Sequence, residues 1–475
     1  MRRTSMPALG NVARACVPIV VCAVLFWASA SRAQQGLVTG FGGFVGAVGG
    51  VSIDTNGVLA NAQRDNLNKL RDLRAKALGE VPGDLAVPTE MRKISLRGLM
   101  GVIEECRVNN RPLPDEVNFL AGLQRLHYVF VYPEQNDIVL VGFGEGWKIS
   151  DSGEVVGANT GRAVLLLDDL LVALRSAMQA AQGGISCSID PTAEGLRRYQ
   201  EAMKYQQTIG PDPQATIRGI EQELGPQTIT LTGVPPTSHF ARVLVAADYR
   251  MKRLAMNFDP PPISGLPSYL QMVRPGQKGS AMPRWWLATN YEPLLTDADG
   301  LAWELRGPGV KAMTEEDFLL ENGNIVHSGK ASPTAQKWAN NMTAKYDELS
   351  KRDAIFGQLR NCMDMAIVAA LLFKENLPGK ANLDLAPLTG ENGLPVAAFA
   401  APKQVDTQAS FIKKGDNWII SASGGVLIHS WGEADRKEQS AKLDPIRAKA
   451  ARASSGNAAA GDKATTGQHG SWWWN

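Results

Sequence analysis

Residues 163–191 read AVLLLDDLLVALRSAMQAAQGGISCSIDP, and this stretch decides the fold class. Its first five residues form a continuous apolar run, which is typical of a fully buried strand. After Asp168 and Asp169 the apolar residues recur at helical spacing, and residues 184–189 have the composition of a second strand. A strand, a helix and another strand in such close succession predict helices packed against a sheet.

The same alternation continues through a predicted α/β domain at residues 59–275. Asp190 and Pro191 form a favourable helix start, with an acidic cap and a proline in the first turn. The strand-like stretches 128–132 and 138–141 are joined by only a short turn. Because a short turn suits antiparallel strands, the sequence favours a mixed sheet over a purely parallel one.

A second predicted domain covers residues 276–442 and combines short strands with two long helices. The second long helix is apolar on all sides over residues 365–373, which predicts that this part is buried. That run is too short to cross a bilayer. The two long helices are expected at residues 332–350 and 353–375. A short helix is expected at 314–317, and a glycine turn between strands at 424–425. The predicted fold class is therefore α/β to α+β.

Both ends of the chain have a distinct composition. Basic residues precede an apolar stretch at 15–28, and Ser31-Arg32-Ala33 fits a signal-peptidase site. An uncleaved membrane anchor is the alternative for this segment. The sequence thus predicts a signal peptide at residues 1–33 and a Gly-rich arm at 34–58. It also predicts a disordered tail at 443–475, which ends in the Trp run and is called the Trp tail. We therefore expect an exported protein, periplasmic or extracellular.

Removal of the signal peptide changes the sign of the net charge. The whole chain has 49 Lys and Arg residues against 47 Asp and Glu residues. Loss of the four Arg at positions 2, 3, 14 and 32, with no acidic residue, leaves 45 basic and 47 acidic residues, a net charge of −2. Nucleic acid binding requires a basic surface, so we expect no nucleic acid partner. We also expect no transmembrane span in the mature chain.

Cysteine and histidine spacing indicates neither a metal site nor a redox motif. Cys106, Cys187 and Cys362 are widely separated and form no CxxC pair, which favours buried thiols, with one disulfide as an open alternative. No histidine lies three to five residues from another histidine or a cysteine. We therefore predict no metal and no cofactor.

Asp168 and Asp169 are the first candidates for acid–base chemistry. They follow a predicted strand, where sites in α/β proteins often lie, but acids at a helix N-terminus also cap the helix and oppose its macrodipole. Capping is the favoured interpretation. His239 and Asp248 are further candidates. An exported hydrolase that used these groups would need Asp168, His239 and Asp248 to converge in one pocket.

A predicted helix at residues 238–254 carries a row of basic groups. At 100° per residue the following side chains share one side: His239, Arg242, Arg250 and Arg253. A solvated helix face explains the row most simply, and an anionic ligand or partner is the alternative. Arg250 and Lys252 are therefore candidate binding residues.

Tryptophan is concentrated in two places. Adjacent residues of a strand point to opposite faces, so one of Trp285 and Trp286 can enter the core while the other stays near the surface. These two residues and Arg284 are candidate binding residues. Trp472, Trp473 and Trp474 lie near the end of the chain, and an exposed run of this kind is an aggregation liability. We predict that they dock, either on this chain or on a partner.

The runs DYRMKR at 248–253 and MPRWW at 282–286 resemble signatures of an uncharacterised family of large secreted proteins from planctomycete bacteria. The Gly-rich start with VSID at 51–54 and the Trp-rich terminus are also similar to that family. The resemblance extends over most of the mature chain. It implies an envelope or exported setting, and it implies no activity, because the family has no established activity or catalytic residues.

Two functional hypotheses follow, and neither assigns a catalytic residue. The favoured one is a non-catalytic structural or binding module of the cell envelope. Its expected partner is an envelope protein or polysaccharide, bound through the Trp tail. The alternative is an exported hydrolase that acts on a polymer or peptide through Asp and His residues.

Overall fold

Two mixed β-sheets and a group of buried helices form the fold in the computed structural model. The structure describes residues 47–48, 50–62, 67–205, 212–274, 283–319, 325–327, 330–390, 393–410, 422–451 and 471–475. The strands are β1 (Ala47–Val48), β2 (Val51–Ile53), β3 (Val58–Asn61), β4 (Thr89–Ser95), β5 (Tyr128–Tyr132), β6 (Asp137–Gly144), β7 (Trp147–Ile149), β8 (Val155–Gly157), β9 (Ile185–Asp190), β10 (Gln227–Thr232), β11 (Pro283–Asn290), β12 (Leu294–Thr296), β13 (Ala302–Glu304), β14 (Gly309–Leu319), β15 (Ile325–His327), β16 (Gln404–Val405), β17 (Ser423–Ile428), β18 (Lys437–Gln439) and β19 (Trp473–Trp474).

The helices connect and cover these strands. They are α1 (Lys69–Ala77), α2 (Gly83–Ala86), α3 (Leu96–Val108), α4 (Asp115–Asn118), α5 (Leu167–Ala180), α6 (Ala193–Tyr205), α7 (Pro213–Leu224), α8 (His239–Ala255), α9 (Tyr269–Met272), α10 (Pro333–Ala344), α11 (Tyr346–Arg352), α12 (Ala354–Lys374), α13 (Leu377–Ala381), α14 (Ala386–Thr389), α15 (Ser430–Asp435) and α16 (Leu443–Ala450).

The two sheets contain both parallel and antiparallel pairs, which confirms the predicted mixed α/β content. Within the described residues, ten strands form the larger sheet in the order β1-β2-β3-β16-β10-β9-β17-β11-β14-β15. Its parallel pairs are β3 with β16 and β11 with β17. The smaller sheet has the order β18-β12-β13-β5-β6-β4-β19, again for the described part of the chain, and β12 with β18 is its parallel pair.

Helix α12 lies at the centre of the fold. Every residue from Ile355 to Leu372 is buried, as the apolar composition of this helix predicts. It packs against α5 and α8, and α8 in turn lies on β9, β11 and β17. By length and composition α12 is the one helix among the described residues that would suffice to cross a membrane, and the protein encloses it completely.

The predicted boundary at residue 275 does not separate two cores. Strands β9 and β10 precede that boundary, whereas β11 and β17 follow it, and all four lie in the larger sheet. Helices α5 and α8 likewise pack on α12 across the same boundary. The described residues belong to one compact unit, Leu37–Asn475.

Gly424 and Gly425 lie inside β17, so the predicted turn at this position is wrong. A Cβ on Gly424 would lie 1.6 Å from the carbonyl oxygen of Trp285, and one on Gly425 would lie 1.8 Å from that of Cys187. Gly424 also has a φ of +128°. No side chain fits between β17 and its two neighbours, and glycine therefore permits this strand to occupy the middle of the sheet.

Three further predictions of local structure are corrected. Residues 163–165 are buried but form a single bridge, since the amide of Leu165 donates to Leu123 in a loop rather than to a strand ladder. The predicted short helix at 314–317 is part of β14, because residues 314–316 pair with β11 and Asp317 pairs with β15. Residues 443–450, expected at the start of a disordered tail, form α16. Residues 417–421, which have the composition of the strand expected before the glycine turn, lie outside the described residues.

The Trp tail docks on this chain, which is one of the two predicted alternatives. β19 pairs antiparallel with β4, and the amide of Ser95 donates to the carbonyl of Trp472 at 2.8 Å. Trp472 and Trp473 are buried in the main core. Gly98 makes room for them, because a Cβ at that position would lie 2.9 Å from the Cβ of Trp472.

Arg92 fixes the end of the tail. This side chain is fully buried and donates to the carbonyl oxygens of Leu85 and Ala121 at 3.0 and 2.8 Å. Its Nε donates to Oδ1 of Asn475 at 3.0 Å, and its guanidinium lies 5.9 Å from the ring centre of Trp473. Burial lowers the pKa of Arg92 to about 10. The tail thus covers the edge of β4 and contributes acceptors to a buried cation.

We expect deletion of residues 471–475 to lower the free energy of unfolding by at least about 3 kcal/mol, the usual cost of losing a buried Trp side chain. It also uncovers the edge of β4, and uncovered edges promote association. Urea unfolding and size-exclusion chromatography measure the two effects. Trp286→Ala, which removes a half-buried Trp, serves as the control and should cost less. Equal losses in the two proteins would contradict this account of the tail.

We expect Gly425→Ala to prevent folding or to destabilise the protein severely, because the added Cβ meets the backbone of β9. Gly219→Ala is the matched control, since a Cβ there has nothing within 4 Å and lies in helix α7. Alanine in a helix is more favourable than glycine, so the control should be neutral or slightly stabilising. Circular dichroism and urea unfolding provide the comparison, and a neutral Gly425→Ala would contradict the packing of β17.

Candidate functional site

Helix α8 carries most of the charged residues that the sequence proposes for function, and it is buried. Arg242 is 3% exposed, Lys252 is 7% exposed and Asp248 is fully enclosed. The predicted solvated face is therefore wrong, because α8 lies between the larger sheet and α12. A charge buried in this way is costly unless it is paired.

His239 and Asp169 form a hydrogen-bonded pair at the N-terminal end of α8. Nδ1 of His239 lies 3.0 Å from both carboxylate oxygens of Asp169. A carboxylate can only accept, so Nδ1 carries the proton and Nε2 has no partner among the described residues. Burial alone would lower the pKa of His239, but the charge and hydrogen bond of Asp169 raise it. This is the geometry of a general base held by an acid.

Asp168 lies beside this pair, and its surroundings disfavour the charged form of its carboxyl group. Its Oδ1 is buried and has no partner among the described residues. Burial, reinforced by the charge of Asp169, raises the pKa of Asp168 to about 6. The amide of Ala397 donates to it and partly opposes the shift. Capping of α5 by Asp168 and Asp169 is the favoured interpretation of the sequence. No side-chain capping bond is present at the start of α5, so neither acid caps this helix through a hydrogen bond.

Arg242 lies one turn after His239 and is stacked on Phe399. Its guanidinium carbon is 4.8 Å from the centre of the Phe399 ring, and that ring centre is 6.2 Å from the ring centre of His239. The amide of Phe399 donates to the carbonyl of Thr237 at 2.8 Å, which holds this loop at the start of α8. Nε and Nη1 of Arg242 are buried without a partner in the described part of the chain.

Asp248 and Lys252 form a buried ion pair further along α8. Nζ of Lys252 donates to Asp248 at 2.8 Å and to the carbonyls of Ile189 and Gly424 at 3.0 and 3.3 Å. These three bonds use all the donors of the ammonium group. Lys252 therefore fastens α8 to β9 and β17, and this arrangement leaves it no donor for a ligand. Burial raises the pKa of Asp248 to about 6, against the opposing charge of Lys252.

The C-terminal part of α8 is held by Asp259. Both oxygens of Asp259 accept from Arg253, at 2.7 and 2.9 Å, and one of them also accepts from Arg250. Arg250 donates in addition to Asp353 at 2.8 Å, just before α12 begins. Arg253 donates to Gln408 at 2.6 Å. Arg250, proposed from the sequence as a binding residue, is thus engaged in holding two helices together.

A small open cleft of about 30 Å³ lies next to Arg253. The guanidinium of Arg253 stacks between Tyr249 and Phe258, with its carbon 5.6 Å from each ring centre. The polar and aromatic lining residues are Gln227, Tyr249, Lys252, Arg253, Phe258, Asp406 and Gln408. This volume is far below the ~300–1,000 Å³ range of ligand pockets. The cleft can therefore take only a small group that projects from a larger ligand lying on the surface.

The three acid–base candidates do not converge. Asp168 and His239 both lie beside Asp169, but Asp248 lies nine residues further along α8 than His239. At 1.5 Å per residue this is ~13 Å along the helix axis, too far for hydrogen bonds to a common substrate atom. Asp248 is therefore excluded from any joint site with the other two.

Trp285 and Trp286 point to opposite faces, as the strand pattern predicts. Trp285 is fully buried, with ring centres of Tyr269 and Trp338 at 4.9 and 5.0 Å. Trp286 is half-buried, and its ring centre lies 5.9 Å from the guanidinium carbon of Arg284. Of the three terminal tryptophans, Trp474 is part-buried whereas the other two are buried, and its Nε1 donates to Ala450.

Cys106, Cys187 and Cys362 are free and buried, as the sequence favours. Among the residues that the structure describes, no group of His, Cys, Asp and Glu side chains is arranged to hold a metal ion. Sequence reasoning missed Phe399, Asp259 and Gln408. No motif marks these residues, because each becomes important only through a contact with α8.

Comparison with known proteins finds a similarity to one family over part of this region. Residues 187–269 match the family DUF1598, described as a protein of unknown function. The match runs from β9 to the first residue of α9 and includes α8. Neither the curated proteins nor the solved structures contain a match to the chain.

We expect the stability cost of Asp168 to depend on pH. The folded pKa of about 6 exceeds the ordinary value of 3.8, so the folded state retains a proton that the unfolded state releases between these values. Relative to Asp168→Asn, the wild type should therefore lose up to about 3 kcal/mol of stability as the pH rises from 4 to above 6. Urea unfolding of both proteins across this range gives the difference, and a constant difference would contradict the buried-carboxylate account.

Proposed function

We propose that this chain is an exported, non-catalytic binding module of the cell envelope. The predicted signal peptide, and the resemblance to secreted planctomycete proteins, support export. The observation that carries the binding role is the cleft beside Arg253. It combines aromatic rings with planar polar groups on a rigid support.

The chemistry of the cleft suits an envelope polysaccharide. Amide, carboxylate and guanidinium groups hydrogen-bond to hydroxyl groups, and aromatic rings pack against the apolar faces of sugars. Asp259 and Gln408 fix Arg253, so little side-chain freedom is lost when a ligand binds. Asp406 is exposed and available to a ligand. We place recognition in the body of the protein because Trp472 and Trp473 are buried against this chain, and a partner would first have to displace them.

We expect the mature chain, residues 34–475, to sediment with at least one of peptidoglycan sacculi, chitin and cellulose. Joint replacement Asp406→Ala and Gln408→Ala should weaken that binding at least about tenfold, equivalent to 1.4 kcal/mol. Gln336→Ala is the control, because Gln336 is an exposed glutamine on α10 whose side chain donates to Asn340 and lies outside the cleft. The proposal would be contradicted if the protein bound none of the three polymers, or if Gln336→Ala weakened binding as much as the joint replacement does.

A hydrolase is the second candidate, and the His239–Asp169 pair supports it. Nε2 of His239 is free to take a proton, and 12% of the side chain remains exposed. The sedimentation experiment tests this candidate when the supernatant is analysed for released fragments. Fragments that disappear in His239→Gln would favour the hydrolase, whereas intact polymer after long incubation supports binding without turnover.

A further inference from the structure

We propose that Arg242 and Phe399 form a binding site for an oxyanion, a carboxylate or phosphate group, at the N-terminal end of α8. This inference goes beyond the proposed function, because the site lies at the opposite end of α8 from Arg253. Eleven residues separate Arg242 from Arg253, which is ~16 Å along the helix axis. Loss of binding at one of these sites therefore leaves binding at the other unaffected.

Most charged side chains on α8 have a partner of opposite charge. Lys252 is paired with Asp248, Arg250 and Arg253 with Asp259, and His239 with Asp169. Arg242 differs from all of these. Its side chain makes no hydrogen bond or ion pair with any described residue, although it is 97% enclosed. An unpaired buried guanidinium is costly, so a compensating anion is the simplest reason for its presence.

The surroundings of Arg242 also suit an anion. Phe399 lies against one face of the guanidinium, whereas the N–H donors lie along its edges, where Nε and Nη1 lack a partner among the described residues. Burial lowers the pKa of Arg242, and no carboxylate of the described residues is placed to raise it. The N-terminal end of α8, a helix of 17 residues, adds a positive dipole.

His239 extends the site without being required for it. It lies one turn before Arg242 and its ring is near Phe399. When protonated it adds a second positive charge, which Asp169 partly offsets. A carboxylate and a phosphate both match these donors, and they are distinguished by experiment.

The test compares the thermal unfolding of four proteins in sodium acetate, in sodium phosphate and in sodium chloride of equal ionic strength. In the wild type, acetate or phosphate should raise the Tm progressively with concentration, beyond the effect of chloride. A response to acetate alone identifies a carboxylate site, and a response to phosphate alone identifies a phosphate site. Arg242→Gln should lower the affinity for the effective anion at least tenfold.

Arg360→Gln is the matched control. Arg360 is also 3% exposed, but it donates to Asp347 at 2.9 Å. Its loss should lower the Tm and leave the anion-dependent rise intact. Arg242→Leu keeps the proposal testable if the glutamine variant folds poorly. Without the added anion this variant should be at least as stable as the wild type, because it removes an unpaired buried charge.

Three results would overturn the proposal. The first is a wild-type Tm that responds equally to all three salts. The second is an anion response that Arg360→Gln loses as completely as Arg242→Gln does. The third is an Arg242→Leu variant destabilised as strongly as Arg360→Gln, which would show that the chain itself already satisfies Arg242.

Discussion

The burial of α8 between the larger sheet and α12 is the constraint on which the other polar interactions depend. A helix in this position can carry charged side chains only where the surrounding elements supply partners. Ile189 and Gly424 supply carbonyl groups to Lys252, and Asp353 supplies a carboxylate to Arg250. The charges on α8 therefore join the sheet, the central helix and the loops into one unit. Arg242 is the exception, and the inferred anion site follows from it.

The ends of the described chain are joined to this unit by strand pairing. β2 and β3 connect the N-terminal part to the larger sheet through β16, whereas β19 covers β4 in the smaller sheet. Fully buried Arg92 joins the last residue, Asn475, to the loop carbonyls beside β4. The tail is thus part of the folded body. This is why the proposed recognition surface lies beside α8 and not at the Trp run.

Sequence patterns succeeded where local periodicity coincides with burial. The apolar period of α12 and the alternation of Trp285 and Trp286 both follow from which face meets the core. They failed where pairing over long distances decides the structure. Gly424 and Gly425 look locally like a turn, and residues 314–317 look like a helix start, but both join β11 in the sheet. The site was only partly predictable for the same reason. Asp168 and His239 were identified by residue type, whereas Phe399 and Asp259 are defined by contacts that no local motif encodes.

The Arg242 guanidinium has no hydrogen-bonding partner among the described residues, and the inferred anion site depends on this. A crystal structure of the mature protein grown in sodium phosphate, with a second crystal soaked in sodium acetate, tests this claim most directly. The account predicts density for one of these anions within hydrogen-bonding distance of Arg242, with the Phe399 ring still stacked on the guanidinium. A carboxylate of the same chain bonded to Arg242, or a guanidinium turned out to solvent with no anion beside it, would contradict the account.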